Sequence, residues 1–138
     1  MNIIKGQGLK CRMNFVDGGI CAYDRTFLVV DTDINDNTIT LLNVSSVRGK
    51  EHKLLYPSNK RIITYNPPFY MSSFVKLDSI YIIEYFSDVA NKLLASGKAL
   101  SPSEFARIQT NLLAYSQTYD TENVYYNADQ FRTFNGTA

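Results

Sequence analysis

Up to about position 85, short apolar and β-branched runs alternate with turn residues, and this pattern constrains the fold more than any other feature of the sequence. An Asp- and Asn-rich segment, residues 31–37, favours a hairpin loop between the first two runs. About five short strands at this spacing predict a small β-barrel or sandwich. The runs suit pleated, half-buried strands and cover residues 27–30, 38–42, 61–65 and 74–77.

The spacing of the apolar residues changes in the last third of the chain. Residues 101–104, Ser-Pro-Ser-Glu, form a capping box with proline at the first helical position, so a helix is predicted to begin here. A shorter helix is predicted over residues 87–94. The apolar residues of the longer helix recur at steps of three and four, and we expect this stripe to cover the barrel. Its members are Phe105, Ile108, Leu112 and Tyr115.

The length and composition of the chain predict one domain, and the pattern of apolar runs predicts that it is mostly β with C-terminal helices. Its 138 residues are 45% hydrophobic, which is enough for a sizeable core. We place the domain, a barrel with its C-terminal helix, at residues 1–118. Residues 119–138 show no sustained period and are predicted to form a partly ordered tail.

Several classes of protein are disfavoured by what the sequence lacks. No apolar run approaches the roughly 20 residues of a membrane helix, and no signal-peptide stretch opens the chain, so we expect a cytoplasmic protein. Two cysteines, Cys11 and Cys21, and one histidine, His52, make a multi-ligand zinc site and a disulfide framework improbable. His52 is the one side chain expected to titrate near neutrality, either as a catalyst or as an exposed loop residue.

Positive charge is concentrated between residues 45 and 61, a stretch that we call the basic segment. Its net charge is +4, against +1 for the whole chain. Aromatic residues interleave with these charges and follow them, and cations among aromatic faces suit unpaired RNA bases. The alternative is an ordinary solvated loop. The charged members are Arg48, Lys50, Glu51, Lys53, Lys60 and Arg61.

A candidate reacting centre lies at the ends of the first two predicted strands. Arg25 precedes the most apolar strand, where it could face a ligand groove or form a surface ion pair with Asp24 or Asp31. A hairpin could bring Ser45 or Ser46 close to Arg25, although a serine pair at a strand end is also typical of turns.

Three blocks of this sequence resemble the PemK/MazF superfamily of toxin endoribonucleases. They are residues 24–30 (DRTFLVV), 40–46 (TLLNVSS) and 72–83 (SSFVKLDSIYII). The stretch 45–54 (SSVRGKEHKL) is similar to the ToxN branch. The chain departs from the superfamily pattern at Thr26, where proline is usual.

The resemblance implies an SH3-like β-barrel that acts as the toxin of a toxin–antitoxin system. The implied reaction is a metal-independent endoribonuclease cut of single-stranded RNA, without a cofactor, that leaves 2′,3′-cyclic phosphate and 5′-hydroxyl ends. The implied partners are a second copy in a homodimer and a cognate antitoxin, either a repeat RNA or a small protein. The alternative function is a non-catalytic SH3-like module that binds nucleic acid or a peptide, and a less favoured one is a phage or plasmid structural protein.

Position by position, the resemblance also implies a set of site residues. Arg25 matches the catalytic arginine, and Ser45 matches its Thr or Ser partner. His52 is the candidate general acid or base, because its ordinary pKa lies nearest neutrality. The residues expected to bind RNA are Ser46, Arg48, Lys50, Lys53, Lys60 and Arg61.

Overall fold

The computed structural model describes residues 1–136, and within that part a single mixed sheet organises the chain. The strands are β1 (Gly8–Cys11), β2 (Arg25–Asp33), β3 (Thr38–Ser46), β4 (Asn59–Ile62), β5 (Ser73–Glu84) and β6 (Glu122–Tyr126). The α-helices are α1 (Pro102–Thr118) and α2 (Ala128–Phe134), and 3₁₀ helices cover Glu51–Leu55, Ser87–Lys92 and Ala95–Gly97.

The strands are hydrogen-bonded in the order β1-β2-β3-β5-β4, each antiparallel to its neighbour. Strand β6 runs parallel to the second half of β5, beyond the part that pairs with β4. The prediction of a mostly-β chain with C-terminal helices is therefore confirmed. Within residues 1–136 the sheet is not closed, because β1 and β4 end the path without pairing with each other.

The predicted strand over residues 61–65 lies partly outside the observed strand β4. The backbone N–H groups of Ile63 and Thr64 donate to the Glu104 carboxylate of α1 instead of to another strand. A side chain 40 residues further along the chain thus ends the strand, which local sequence cannot predict. The predicted strand at residues 74–77 is instead too short, because these residues belong to the much longer strand β5.

Helix α1 begins as the capping box predicts. The Ser101 hydroxyl accepts a hydrogen bond from the Glu104 backbone N–H, and Pro102 occupies the first turn. The predicted stripe packs on the sheet, with Ile108 fully buried and the other three members partly buried. The short helix predicted over residues 87–94 is a 3₁₀ helix. No helix in the described residues is both long and apolar enough to cross a bilayer.

Side chains alternate between the two faces of the sheet and form two core clusters. Phe27 belongs to the first cluster and Leu28, its neighbour in β2, belongs to the second. Helix α1 covers the second cluster. The first cluster contains Tyr126 of β6 and Phe131 of α2, so the segment predicted as a partly ordered tail holds a strand and a helix that bury aromatic side chains. Residues 137 and 138 of that segment lie outside the described part.

Candidate active site

The start of β2, the end of β3 and the first half of β5 converge on a polar cavity of about 320 Å³, which we call the basic cavity. Val44 of β3 lies between Thr26 of β2 and Val75 of β5, so this row of the sheet brings the three strands together. The cavity is lined by several cationic and hydroxyl side chains. Those used below are Lys10, Arg25, Ser45, Ser46, Lys50 and Lys76.

Arg25 is held in a cage of carbonyl and aromatic groups and is only 9% exposed. Its Nη2 donates to the Met13 carbonyl at 2.9 Å and to the Asn14 carbonyl at 3.1 Å. Its Nη1 donates to the Tyr81 hydroxyl at 3.2 Å. The guanidinium carbon also lies 4.5 Å from the ring centroid of Phe15, a cation–π distance. These contacts fix the orientation of the guanidinium.

Arg25 forms no ion pair within residues 1–136. Asp24 also lines the basic cavity, but its carboxylate pairs with Arg12 at 3.8 Å, and Asp31 pairs with Lys5. Its Nε is buried without a hydrogen-bond partner among the described groups. A buried cation without a counter-charge is costly, so an anion that enters the basic cavity would gain from this unpaired charge.

The C-terminal segment supports the loop that holds Arg25. The Tyr126 hydroxyl of β6 donates to the same Asn14 carbonyl that Arg25 uses, at a long 3.3 Å. Burial raises the pKa of this hydroxyl and keeps it protonated as a donor. From β5, the Tyr81 hydroxyl accepts from the Val16 backbone N–H at 3.2 Å. The loop that carries the carbonyl cage is therefore tied to both strands.

Ser45 and Lys50 form a hydrogen-bonded pair at the wall of the basic cavity. Lys50 Nζ donates to Ser45 Oγ at 2.9 Å. Because a hydroxyl can accept and donate at once, this contact leaves the Ser45 hydrogen free to point at another acceptor. Lys50 also brings a positive charge beside that hydroxyl, which suits the oxygen of a phosphate.

Lys76 of β5 completes the group of cations. Its pKa is lowered chiefly by burial and further by the positive charges of Lys53, Lys50 and Arg25, while Asp78 acts in the opposite direction. Cations close enough to lower the pKa of Lys76 create a local field that attracts anions, even though the whole chain carries +1.

Some residues suggested by the sequence do not line the basic cavity. His52 is exposed on the 3₁₀ helix Glu51–Leu55, and Lys53 lies on the same helix. Arg48 is exposed in the loop before it, and Lys60 and Arg61 are exposed on β4. Of the nine predicted site residues, the cavity is thus lined by four: Arg25, Ser45, Ser46 and Lys50.

Sequence reasoning missed Lys10 and Lys76 as members of this site. One signal was available for Lys76, a lysine inside the otherwise apolar run of residues 74–77. The register between β3 and β5 shifts between Leu42 and Val44. Lys76 lies in this irregular part of β5, directly after Val75, which pairs with Val44. No local pattern marks such an irregularity, so the position of Lys76 beside Lys50 becomes evident only in three dimensions.

The chain is similar to a solved structure described as an endoribonuclease in complex with its cognate antitoxin from a mycobacterial species. The TM-score is 0.56 at 13% sequence identity, and the match covers 84% of this chain and 96% of the other. Neither a family model nor a curated protein matches the sequence. At this identity the likeness establishes a shared fold, that of an endoribonuclease bound by an antitoxin, and fold alone does not assign an activity.

Proposed function

We propose that this protein is the toxin of a toxin–antitoxin system and cleaves single-stranded RNA as a PemK/MazF-like endoribonuclease. The observation that carries the proposal is the fixed, unneutralised guanidinium of Arg25 in a cavity shared with Ser45, Lys50 and Lys76. A phosphodiester is the anion that such a group of donors suits. The shared fold with an antitoxin-bound endoribonuclease supports the same function.

The proposed reaction is attack of a ribose 2′-oxygen on the adjacent phosphorus, which expels the 5′-oxygen of the next nucleotide. The products are a 2′,3′-cyclic phosphate and a 5′-hydroxyl. Negative charge grows on the non-bridging oxygens during this step. Arg25 would stabilise that charge with a pre-oriented guanidinium, and the Ser45 hydroxyl would donate to the same oxygens while Lys50 holds its oxygen.

Proton transfer needs a second group, and Lys76 suits this role better than His52. Lys76 lines the basic cavity, whereas His52 does not. Burial and neighbouring cations lower the pKa of Lys76, so its ammonium gives up a proton more readily than an ordinary lysine. We assign Lys76 as the proton donor to the leaving 5′-oxygen, while the proton of the attacking 2′-hydroxyl passes to a water molecule of the solvent.

Cations outside the basic cavity would hold the RNA strand beyond the reacting centre. Arg48, Lys60 and Arg61 are exposed and Lys53 is half-buried, and these members of the basic segment would contact further phosphates. The proposed partners of the protein are a second copy of the chain and an antitoxin, either an RNA as in the ToxN branch or a small protein. An antitoxin that covers the basic cavity would block cleavage.

The test is incubation of the purified protein with total RNA in EDTA, followed by chemical identification of the new ends. Arg25→Ala and Ser45→Ala should abolish or greatly reduce cyclic-phosphate ends. Lys98→Ala is the charge-matched control, because Lys98 is exposed and lies outside the basic cavity. Intact RNA with the folded wild-type protein would overturn the enzymatic proposal and favour a non-catalytic module that binds nucleic acid or a peptide.

A further inference from the structure

A second cavity adjoins the basic cavity and differs from it in chemistry. Its volume is about 210 Å³, and we call it the aromatic recess. The two cavities share part of their walls, including Ser45, Ser46 and Lys10. An anion held in the basic cavity would therefore lie next to a largely apolar space. The remaining wall of the recess includes Phe69, Tyr70, Met71 and Leu94.

The floor of the aromatic recess is closely packed. Phe69 is 3% exposed and lies against Gly8 of β1. A Cβ atom at Gly8 would lie 3.0 Å from the Phe69 ring and 3.1 Å from Pro68, so only glycine lets the strand approach this closely.

The rim of the aromatic recess is open, while the backbone beneath it is held in place. Tyr70 is 71% exposed and Met71 is 56% exposed. The Ser73 hydroxyl donates to the Met71 carbonyl at 2.7 Å, and the Phe69 backbone N–H donates to the Tyr65 carbonyl at 2.9 Å. A large ring and a flexible thioether thus project from an anchored loop, free to contact a ligand.

We propose that the aromatic recess binds one unpaired nucleobase of an RNA strand whose adjoining phosphate occupies the basic cavity. This inference rests on the proposed function, since it deepens the description of the same site. A nucleotide joins an anionic group to a flat apolar ring through a single sugar, and the two adjoining cavities offer these chemistries side by side. Base stacking on an exposed aromatic ring is the usual contact to single-stranded RNA.

The size of the aromatic recess limits what it can hold. Its volume of about 210 Å³ lies below the roughly 300–1,000 Å³ of pockets for drug-sized ligands. One ring system fits this space better than two stacked bases do. The Ser46 hydroxyl on the shared wall can donate to or accept from the edge of that base. The recess would therefore contribute to the choice of the base beside the cut.

The experiment compares binding of two kinds of uncleavable probe to the full chain by fluorescence anisotropy. One kind is a set of four 2′-O-methyl RNA homopolymers, one for each base, and the other is a 2′-O-methyl ribose-phosphate chain of equal length without bases. Tyr70→Ala removes the exposed aromatic ring, whereas Tyr70→Phe keeps the ring and removes only its hydroxyl. Tyr125→Ala is the matched control, because Tyr125 is also exposed and lies outside both cavities.

We expect Tyr70→Ala to weaken binding of at least one homopolymer about tenfold and to leave the abasic chain within twofold of wild type. Tyr70→Phe should keep the wild-type affinity for the homopolymers, and Tyr125→Ala should leave the affinity for both kinds of probe unchanged. Equal losses for both kinds of probe, or no loss for any homopolymer, would overturn the aromatic recess as a base site.

The outcomes also separate this inference from the proposed function. If Tyr70→Ala weakens homopolymer binding as expected but the wild type leaves total RNA intact, the nuclease proposal fails and the base site stands. If the wild type cleaves RNA while Tyr70→Ala binds every probe normally, the base site alone fails. If the wild type binds none of the probes and also leaves total RNA intact, both proposals fail.

Discussion

Two arginines of this chain are held by backbone carbonyls, but only one of them has a carboxylate partner. Arg107 of α1 donates to both oxygens of Glu104, at 2.7 and 3.1 Å, and to the Arg61 carbonyl of β4. Arg25 donates to two carbonyls and a tyrosine hydroxyl and has no ion-pair partner within residues 1–136. The first arginine is neutralised by the fold, and the second is not.

The difference separates a structural arginine from a candidate catalytic one. The Glu104–Arg107 pair joins α1 to the end of β4, since Glu104 also accepts from Ile63 and Thr64. The Arg107 hydrogen bond is the main reason why the pKa of Glu104 is lowered. Arg25 instead lines one cavity together with Lys50 and Lys76, where the Asp24 carboxylate pairs with Arg12. A charge that the chain leaves unpaired beside other charges of the same sign indicates an external anion.

The largest expected effect is on cleavage by Arg25→Lys. Lysine keeps the positive charge but lacks the planar guanidinium that donates hydrogen bonds to two carbonyls and a hydroxyl at once. We expect the cleavage rate at saturating RNA to fall at least about 100-fold, the usual cost of removing one fixed donor to a developing oxyanion. The variant Arg107→Lys carries the same substitution in the Glu104–Arg107 pair and should cleave RNA at close to the wild-type rate. Equal rates for wild type and Arg25→Lys would contradict the proposed role of Arg25.

The second prediction removes the carboxylate that distinguishes the two arginines. Glu104→Gln leaves Arg107 without its counter-charge, and we expect the free energy of unfolding to fall by about 3 kcal/mol, near the low end for breaking a buried pair because Arg107 is partly exposed. Chemical denaturation measures this change. The cleavage rate per folded molecule should stay near wild type, and a 100-fold loss would show that the pair serves the site.

Acid offers a further check on the Glu104–Arg107 pair. The pKa of Glu104 in the folded state is lowered from 4.5. The ionised carboxylate therefore contributes its full share to the free energy of unfolding above pH 4.5, and this contribution is lost as the pH falls through the lowered pKa. The stability difference between wild type and Glu104→Gln should therefore narrow below pH 4.5. A difference that stays constant down to strong acid would argue against an ionised Glu104.

The third prediction concerns the cations that surround Arg25 but not Arg107. Phosphate binding favours the charged form of Lys76, whose pKa is lowered from 10.5. Affinity for uncleavable RNA should therefore fall by about tenfold as the pH rises through that lowered value, the cost of one charged hydrogen bond. In Lys76→Arg, which stays charged, the affinity should persist to higher pH while cleavage falls. Identical pH profiles for the two proteins would remove Lys76 from the site.

The smallest expected effect tests the support of the Arg25 cage by the C-terminal segment. Tyr126→Phe deletes the hydroxyl that donates to the Asn14 carbonyl. We expect the cleavage rate to fall about two- to fivefold, the range of a weak neutral hydrogen bond, with little change in the apparent affinity for RNA. Tyr125→Phe, which alters the exposed neighbour, is the control. A loss confined to affinity would point to RNA contact instead of positioning.

Local sequence was sufficient for the parts of this molecule that depend on near neighbours. The start of α1 follows from the capping box of Ser101 and Glu104, and its buried face follows from the spacing of residues such as Ile108. Arg25 and Ser45 could be placed near each other because a hairpin between consecutive strands joins β2 to β3. Each of these inferences uses only interactions within a turn or between adjacent strands.

Tertiary structure alone decided how the site is completed and supported. Lys76 reaches Lys50 through an irregular register between β3 and β5. Tyr126, 112 residues from Asn14, supports the cage from a strand that sequence reasoning assigned to a tail. The pattern of apolar residues tells which face of a strand is buried. It does not tell which distant strand lies beside it, because pairing is selected by the packing and hydrogen bonding of the whole sheet.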